Sequence, residues 1–311
     1  MSLHNCRICD IPFTATHTFR EMMFGMRDKF QYGECPNCGS IQIIDLPADI
    51  DQYYPPYYVS FTQTVPQLKR LPFLKRLVRS IRIKRKYRTT QNHALSLLKP
   101  IAVMPDARIL DIGCGQGGLI CTLFNLGFEH VTGVDKFVSR EIDYGYGVKV
   151  LKKDLSDLST QSYNLLILHH VLEHMDEQLK ELKECYRLLK KGGVLLVTIP
   201  VLAEAWNIYK ENWVQLDAPR HFVLHTLKSM SILAEKAGFK IAKTIFDSTA
   251  FQFWGSELYK KDIPLTLPDT HEWYPFERIF TKEEISAFEE KAKSFNENQI
   301  GDAASFYLYK R

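Results

Sequence analysis

The chain has 311 residues, of which 45% are apolar and 24% charged, proportions typical of a packed globular protein rather than a disordered one. No stretch approaches the ~18 consecutive apolar residues of a membrane span, and the first 30 residues lack the apolar core of a signal peptide. Seven cysteines are too few for a disulfide scaffold. We therefore expect a cytoplasmic protein with reduced thiols, built as two domains or as one domain with an appendage.

Residues 1–50 are predicted to form a small zinc-binding module. Two C-x-x-C pairs separated by 25 residues supply four thiolates with the spacing of a tetrahedral zinc site, namely Cys6, Cys9, Cys35 and Cys38. Four thiolates leave no open coordination position, so the zinc is expected to be structural. A segment this short buries little apolar core, and metal binding would contribute much of its folding free energy. A redox pair is the weaker alternative, because a redox motif would not occur twice.

Residues 51–100 are predicted to be a connector followed by a basic amphipathic helix. Tyrosine and proline dominate 51–66, and the adjacent prolines favour extended backbone there. Apolar residues then recur at three- and four-residue steps over 68–98, which predicts a helix.

This helix carries the positive charge of the chain. Ten Lys and Arg and no acid lie between Lys69 and Arg88, and 30 basic residues face 36 acidic ones in the rest of the chain. Three interpretations remain open: a solvated surface, an interfacial helix on anionic lipid that would make the protein membrane-peripheral, and a binding surface for nucleic acid or a nucleotide sugar.

From residue 101 to 311, short apolar runs alternate with amphipathic segments, a pattern typical of βαβ units around a parallel sheet. The predicted strands are 107–111, 130–135, 148–151, 163–169, 193–199, 239–246 and 303–309. The predicted helices between them are 117–127, 176–190 and 226–237. The segment 247–300 is predicted to be an insertion between the last two strands, with a surface helix at 281–294.

A glycine-rich turn follows the first predicted strand. Gly113, Gly115 and Gly118 satisfy G-x-G-x-x-G, whose backbone turns sharply and approaches a ligand closely, so a dinucleotide is formally compatible. Asp111 favours another ligand, because a carboxylate repels a pyrophosphate but suits the cationic amino group of S-adenosylmethionine. Asp135, at the end of the second strand, is placed to accept hydrogen bonds from ribose hydroxyls in either case.

In this region the chain resembles the class I S-adenosylmethionine-dependent methyltransferases, over roughly residues 100–311. Besides the glycine loop, the resemblance rests on Asp154 in LKKDLSDL, on LILHHVLEHM after the fourth strand and on LLKKGGVLLVTIP around the fifth. It implies an α/β, Rossmann-like sheet of seven strands with the cofactor at the carboxyl ends of the first strands. The residues that it implies for cofactor binding are Asp111, Gly113, Gly115, Gln116, Gly117, Asp135, Lys136, Asp154, Leu155 and His169.

The sequence after the fourth strand also spells H-x-x-E-H, a pattern that occurs in zinc peptidases. Because it comes directly off an apolar strand, we interpret His169 or His170 as facing the cofactor or substrate. Glu173 and His174 are expected to anchor a turn.

The predicted substrate loop after the fifth strand is NWVQLDAPRHFVLHT. It joins the carboxyl end of a strand to a helix and therefore lies beside the cofactor crevice. Methyl transfer to oxygen requires alignment and a base, for which His is suited near neutral pH. His221 is the first candidate base and His225 the second, with Asp217 orienting the imidazole and Arg220 binding a substrate anion. The alternative is a structural loop in which Asp217 pairs with Arg220 and Thr226 caps the next helix.

The four-cysteine module, the YYPPYY connector and DSTAFQFWGSE in the insertion resemble a group of bacterial methyltransferases associated with surface-polysaccharide and glycan assembly. The resemblance implies O-methylation of a sugar or glycan intermediate, nucleotide- or lipid-linked. The module is also similar to the zinc-binding domain of deoxysugar C-methyltransferases, but 247–311 is too short for their separate C-terminal domain. The alternatives are RNA methylation through the zinc module and basic helix, and a non-enzymatic assembly factor that docks at the membrane.

Overall fold

The chain folds around two β-sheets of unequal size. The computed structural model describes residues 4–62, 64–69, 72, 78–89 and 92–310. Its strands are, in chain order, β1 (Ala15–Arg20), β2 (Lys29–Glu34), β3 (Ile41–Ile43), β4 (Arg108–Ile112), β5 (His130–Val134), β6 (Ile142–Gly145), β7 (Val148–Leu151), β8 (Tyr163–His169), β9 (Leu189–Pro200), β10 (Val223–Leu224), β11 (Phe239–Phe246) and β12 (Ala303–Lys310). Its α-helices are α1 (Val59–Thr62), α2 (Arg79–Thr89), α3 (His93–Leu98), α4 (Gly118–Leu126), α5 (Gln178–Leu188), α6 (Glu204–Tyr209), α7 (Leu227–Lys236), α8 (Phe251–Lys260) and α9 (Lys282–Glu297).

The large sheet has eight strands in the order β11-β12-β9-β8-β4-β5-β7-β6. The strands β7, β5, β4, β8 and β9 are parallel, and β12 runs antiparallel to both of its neighbours. All seven predicted strands are present. The eighth strand, β6, pairs antiparallel with the edge strand β7; its four residues are partly or fully exposed, so no apolar run indicates it in the sequence.

The core strands read as continuous apolar runs because both faces of the sheet are covered. Residues 165–168 of β8 and 195–197 of β9 are all fully buried. The predicted helices are confirmed as α4, α5 and α7, and the insertion between β11 and β12 contains α8 and α9. The α/β, Rossmann-like fold predicted from the sequence is therefore confirmed, with one more edge strand than expected.

The N-terminal module shares its sheet with the predicted substrate loop. The small sheet has the order β1-β2-β3-β10, in which β3 pairs antiparallel with β10 from the loop. The Tyr32 hydroxyl donates to the carbonyl of His221 (3.0 Å), and the Thr226 hydroxyl donates to the carbonyl of Cys38 (2.6 Å). One apolar core contains residues of both parts, so the module packs as a continuous part of the fold.

The connector packs against the rest of the molecule rather than running free. Tyr53 and Tyr58 are buried, and short helical turns interrupt the extended backbone that the prolines predict. Of the helix predicted over 68–98, the structure shows α2 and α3, and residues 68, 69 and 72 are not helical, so the prediction of a single helix from residue 68 is wrong there. Residues 70, 71, 73–77, 90 and 91 lie outside the described residues. Among the residues that are described, no helix has the length and hydropathy to cross a membrane.

Candidate active site

The glycine loop after β4 is enclosed on two sides. Gly113, Gly115 and Gly117 have φ angles of 67°, 52° and 84°, in the left-handed region that favours glycine. A Cβ at Gly113 would lie 2.7 Å from Val171, just after β8, and one at Gly115 would lie 2.9 Å from the Ser60 carbonyl in α1. The loop is therefore held between the end of β8 and the connector, and side chains are excluded where its backbone lines the crevice.

Two acidic side chains, Asp111 and Asp135, lie close together beside the glycine loop. Asp111 is buried at the end of β4, and burial together with the nearby charge of Asp135 raises its pKa to about 8. The Asp135 carboxylate accepts hydrogen bonds from the backbone N–H groups of Gly115 (2.9 Å) and Phe137 (2.8 Å), which fixes it beside the glycine loop. Such a pair opposes a pyrophosphate and suits a ligand with a cationic group.

His169 lies at the carboxyl end of β8, where its ring is largely buried beside two other histidines. Its buried Nδ1 has no hydrogen-bond partner among the described residues, and its Nε2 lies 3.4 Å from Nε2 of His93 in α3. Burial, then the charges of His170 and His93, lower the pKa of His169 to about 3, so the ring is neutral at pH 7. A buried imidazole nitrogen without a partner is available to a bound ligand.

The remaining predicted cofactor residues lie on the loops after β4, β5 and β7, which are adjacent in the sheet. The carbonyl of Gln116 accepts a hydrogen bond from the Tyr144 hydroxyl, and the Lys136 ammonium lies over the ring of the next residue. Asp154 is exposed and precedes a 3-10 turn in which Leu155 is buried. The structure thus brings all the predicted cofactor residues to one edge of the sheet.

We expect cofactor binding to rise with pH because of Asp111. At pH 7 the raised pKa keeps this carboxyl mostly protonated, whereas a cofactor ammonium group would select the ionised form and release the proton on binding. The affinity for S-adenosylhomocysteine, measured by calorimetry from about pH 6 to 8, should therefore increase by up to about tenfold per pH unit, and it should level off only above about pH 8. The Asp111→Asn variant should bind more weakly without this slope. A wild-type affinity that is independent of pH would contradict the assignment.

A second group of side chains surrounds the 3-10 turn that follows β8. His170 has a φ of 54° and a side chain that is 43% exposed, and its Nδ1 lies 3.4 Å from Oε1 of Glu173. The Glu173 side chain is only 1% exposed. His174 Nδ1 lies 2.8 Å from the carbonyl of Arg220 and 3.2 Å from the Tyr54 hydroxyl. The turn therefore connects the sheet to both the connector and the substrate loop.

His221, the first candidate base, faces this turn. Its ring lies 4.7 Å from the ring of His174, and its side chain is 7% exposed. Its Nδ1 is hydrogen-bonded to the carbonyl of Gln215 (2.8 Å), whereas Nε2 lies 3.8 Å from Oδ2 of Asp217. A backbone carbonyl, rather than the predicted Asp217, therefore fixes the tautomer of His221.

The prediction that Arg220 binds a substrate anion is wrong. Its fully buried guanidinium donates to Asp217 (2.6 and 3.0 Å), to Glu21 (2.8 Å) and to the carbonyl of Tyr53 (3.2 Å). The two carboxylates neutralise the charge and the guanidinium has no exposed surface, so it is not accessible to a substrate anion. The structural alternative, in which Asp217 pairs with Arg220, is confirmed.

The structure also excludes His225 as the base. The residue is completely buried, with Nδ1 3.0 Å from the Ser229 hydroxyl and Nε2 3.0 Å from Oε1 of Gln178. Both ring nitrogens are occupied, and burial lowers the pKa of His225 to about 4. The following residue, Thr226, caps α7 as the structural alternative predicts.

The four cysteines of the N-terminal module converge on one point. Their sulfur atoms all lie within 4.8 Å of one another. The Cys6–Cys38 sulfur distance of 3.7 Å is close to the edge of about 3.8 Å expected for a tetrahedron with Zn–S bonds of about 2.3 Å. The N–H groups of Ile8 and Cys9 and the amide of Gln42 all point at the Cys6 sulfur.

The fold and the crevice define a class I methyltransferase. Residues 81–244, just over half of the chain, match the family described as a methyltransferase domain, and the chain belongs to that family. Residues 81–244 thus form a methyltransferase domain, a class whose cofactor is S-adenosylmethionine. The residues present fit this cofactor: Asp111 suits its cationic amino group, Asp135 suits its ribose hydroxyls, and the glycine backbone allows close approach. Within the described residues, the buried Nδ1 of His169 also lacks a hydrogen-bond partner.

Similar proteins agree on the class but cover the chain only in part. The ubiquinone biosynthesis O-methyltransferase of Maricaulis maris is 35% identical over 130 residues, which are 36% of this chain and 49% of that one. Its counterpart from Xanthomonas campestris pv. campestris is 29% identical over 106 residues, 30% of this chain and 44% of that one. The chain therefore spans about half the length of the curated relatives it matches.

Two solved structures show similarity at low identity. A SAM-dependent methyltransferase from Archaeoglobus fulgidus is 19% identical with a TM-score of 0.43, covering 73% of this chain and 97% of that one. Phosphoethanolamine N-methyltransferase 2 of Haemonchus contortus, in complex with S-adenosyl-L-methionine, is 21% identical with a TM-score of 0.39, covering 71% and 52%.

Sequence analysis gave no role to two residues that contact this region. Glu21 pairs with the buried Arg220, and the Tyr54 hydroxyl contacts His174. The available signals were weak: a single acid before two methionines at position 21, and the density of tyrosine in the connector. Both contacts bridge more than 100 positions of the chain, which local patterns do not report.

Proposed function

We propose that the enzyme O-methylates a hydroxyl group of a sugar or glycan intermediate, with His170 as the general base. The observation that carries this proposal is a partly exposed imidazole at the carboxyl end of β8, paired with the buried carboxylate of Glu173. The next residue, Val171, packs against Gly113 of the cofactor loop, so His170 borders the crevice. When bound there, S-adenosylmethionine supplies an activated methyl group. Sequence reasoning favoured His221, but that side chain is buried and its tautomer is fixed within the loop.

His170 has the features that a base requires. Its exposed side chain is open to an acceptor, and removal of the hydroxyl proton would leave an imidazolium beside the Glu173 carboxylate at 3.4 Å. The buried negative charge stabilises that imidazolium. His170 thus accepts the proton while Glu173 orients the ring.

Aromatic side chains of α8 and the following loop support an acceptor that stacks. Phe253 is fully buried, and Trp254 stacks on Phe276, so the aromatic residues of DSTAFQFWGSE lie partly in the core. Phe251 and Trp273 remain partly exposed with ring centroids 6.1 Å apart. They border the apolar cluster on which the connector packs. Exposed rings beside polar groups suit the apolar face of a sugar.

The acceptor is tested by incubating the full chain with methyl-labelled cofactor and a panel of nucleotide sugars, and by locating the label in the product by NMR. We expect a methyl ether on a ring hydroxyl. Label on carbon or nitrogen would contradict the proposal. Label that enters only bulk RNA, and disappears with nuclease or raised salt, would establish the RNA alternative instead.

A ring hydroxyl in quinone biosynthesis is the second candidate acceptor. It is favoured by the names of the curated relatives, which are ubiquinone biosynthesis O-methyltransferases. The same assay distinguishes it, because a phenolic acceptor would be labelled in place of the nucleotide sugars. Exposed aromatic rings stack on either kind of acceptor, so the labelled product decides.

We propose that the four-cysteine cluster holds a structural zinc ion and that residues 68–88 contact anionic membrane. The zinc proposal is supported by the converging sulfur atoms and the N–H groups that point at Cys6.

The membrane proposal is supported by Val78 and Ile81, which are exposed beside the basic residues of α2. Sedimentation with vesicles that contain anionic lipid, compared with neutral vesicles, tests the membrane proposal, and equal binding to both would contradict it.

Replacing His170 with alanine should lower kcat by ~10²–10⁴-fold, because the proton of the acceptor loses its base. The affinity for S-adenosylhomocysteine should stay within about twofold of wild type, because the variant leaves the glycine loop and its acids intact. His130→Ala, an exposed histidine at the opposite edge of the sheet, is the matched control and should be fully active. A His170→Ala variant with normal turnover would remove this residue from the mechanism.

A further inference from the structure

Glu173 is an unsatisfied carboxylate in the protein interior. Its side chain is 1% exposed, and neither of its oxygens has a hydrogen-bond partner among the described residues. Among the described residues, the only ion-pair partner within 4 Å of Glu173 is His170, whose Nδ1 lies 3.4 Å from Oε1. A buried carboxylate without donors is costly, and native structures normally satisfy it with hydrogen bonds or a cation.

The two imidazoles nearby present electron pairs rather than protons to this carboxylate. Nδ1 of His174 lies 2.8 Å from the carbonyl of Arg220, and Nδ1 of His221 lies 2.8 Å from the carbonyl of Gln215. Because a carbonyl oxygen only accepts, each Nδ1 carries the proton. In the neutral ring the other nitrogen, Nε2, is then an acceptor.

The electron pairs of these three residues meet in a small volume. One ligand atom from each of Glu173, His174 and His221 lies within 4.8 Å of the other two. Oε1 of Glu173 faces Nδ1 of His170 at 3.4 Å, but among the described residues Oε2 has no hydrogen-bond partner. This second oxygen and the two imidazole acceptors suit a shared cation. We infer that this cluster binds one divalent transition-metal ion, separate from the ion proposed for the four cysteines.

The donor set defines the class of ion. Two imidazoles and one carboxylate suit Zn²⁺, Fe²⁺ or Co²⁺, with bonds of about 2.0–2.2 Å. Metal-ligating histidines typically donate their second nitrogen to a backbone carbonyl, as His174 and His221 both do. Three protein ligands leave coordination positions open, in contrast to the closed set of four thiolates.

The nearby charged groups do not replace such an ion. Arg220 is the guanidinium on the same loop as His221, but it pairs with Asp217 and Glu21 rather than with Glu173. Asp217 lies 3.8 Å from Nε2 of His221 and adds negative charge, which further favours a cation. The H-x-x-E-H spacing thus contributes two ligands from the turn, and the third comes from a distant loop rather than from the first histidine of the motif.

The test is a titration of the full chain, with zinc already on its cysteines, by Co²⁺ alone. Calorimetry should detect one Co²⁺ per chain, and the bound ion should show visible d–d bands without the near-ultraviolet charge-transfer band of a thiolate ligand. No binding at about millimolar Co²⁺, which corresponds to a binding free energy of about −4 kcal/mol or weaker, would overturn the inference. In that case a proton shared by the three residues, rather than a metal ion, would be the cation. A thiolate band would place the ion on the cysteines and overturn it equally.

Variants separate ligation from folding. Glu173→Gln and His221→Ala should each weaken Co²⁺ binding by at least ~100-fold, since a ligand is lost. Glu173→Gln is isosteric, so the metal-free variant should be at least as heat-stable as metal-free wild type, because it removes an unpaired buried charge. His130→Ala is the control and should bind normally. Unchanged Co²⁺ affinity in Glu173→Gln would overturn the assignment, even if His221→Ala failed to fold.

Discussion

Replacing Cys35 with serine is expected to release one equivalent of zinc and to destabilise the whole enzyme. Metal binding to a small four-ligand site contributes about 10–16 kcal/mol, comparable to the total stability of about 5–15 kcal/mol of a typical domain. The module cannot unfold alone, because β3 pairs with β10 and its apolar side chains belong to the core under the large sheet. The effect should therefore reach the cofactor site.

Zinc content, the melting temperature and the affinity for S-adenosylhomocysteine measure this effect together. The matched control is Cys121→Ala, which removes a buried thiol from the methyltransferase core without touching the cluster and should retain all the zinc. Full cofactor affinity in zinc-free Cys35→Ser would contradict the integrated architecture. Unchanged zinc content would contradict the assignment of the ligands.

Replacing Glu21 with alanine is expected to cost about 3–5 kcal/mol of unfolding free energy, because it leaves part of a buried charge uncompensated. The Glu21–Arg220 pair has no exposed surface and joins the N-terminal module to the substrate loop. Glu21 also accepts hydrogen bonds from the N–H groups of Phe24 and Met26, which would lose their partner. Urea unfolding measures the change, with the free energy extrapolated to water.

The control for Glu21 is another acid that pairs with arginine on the surface. Asp262 contacts Arg20 and Arg27 and is more than half exposed. Its replacement by alanine should cost only about 0–1 kcal/mol, because water screens the pair. Equal losses for the two variants would show that the buried network contributes no more than a surface pair.

The sheet was predictable because its information is local. Strands buried on both faces are continuous apolar runs, and β8 and β9 show this directly. The glycine loop and Asp111 follow from backbone geometry and charge within one turn. The paired cysteines likewise encode their cluster in their spacing. The edge strand β6 was not predicted, because its sequence, IDYG, is short and largely exposed.

The predicted roles of the substrate loop depended on information that the sequence does not carry. His221, His225 and Arg220 are equally polar in the sequence, yet the fold buries Arg220 between two acids and occupies both nitrogens of His225. A partner such as Glu21, 199 positions away, leaves no periodic trace. Sequence patterns report which groups could perform chemistry, but not which have already been satisfied by a neighbour.

The sequence by itself determined the methyltransferase sheet, the acidic residues of the cofactor crevice and the cysteine cluster, since each shows as a short local pattern: an apolar run, an acid at a strand end or a C-x-x-C pair. The tertiary structure alone decided that the N-terminal module completes the substrate loop and that Glu173, His174 and His221 face one another. The physical reason is that burial and hydrogen-bond satisfaction are set by packing between distant segments. These two properties determine which of the candidate groups remain available for chemistry.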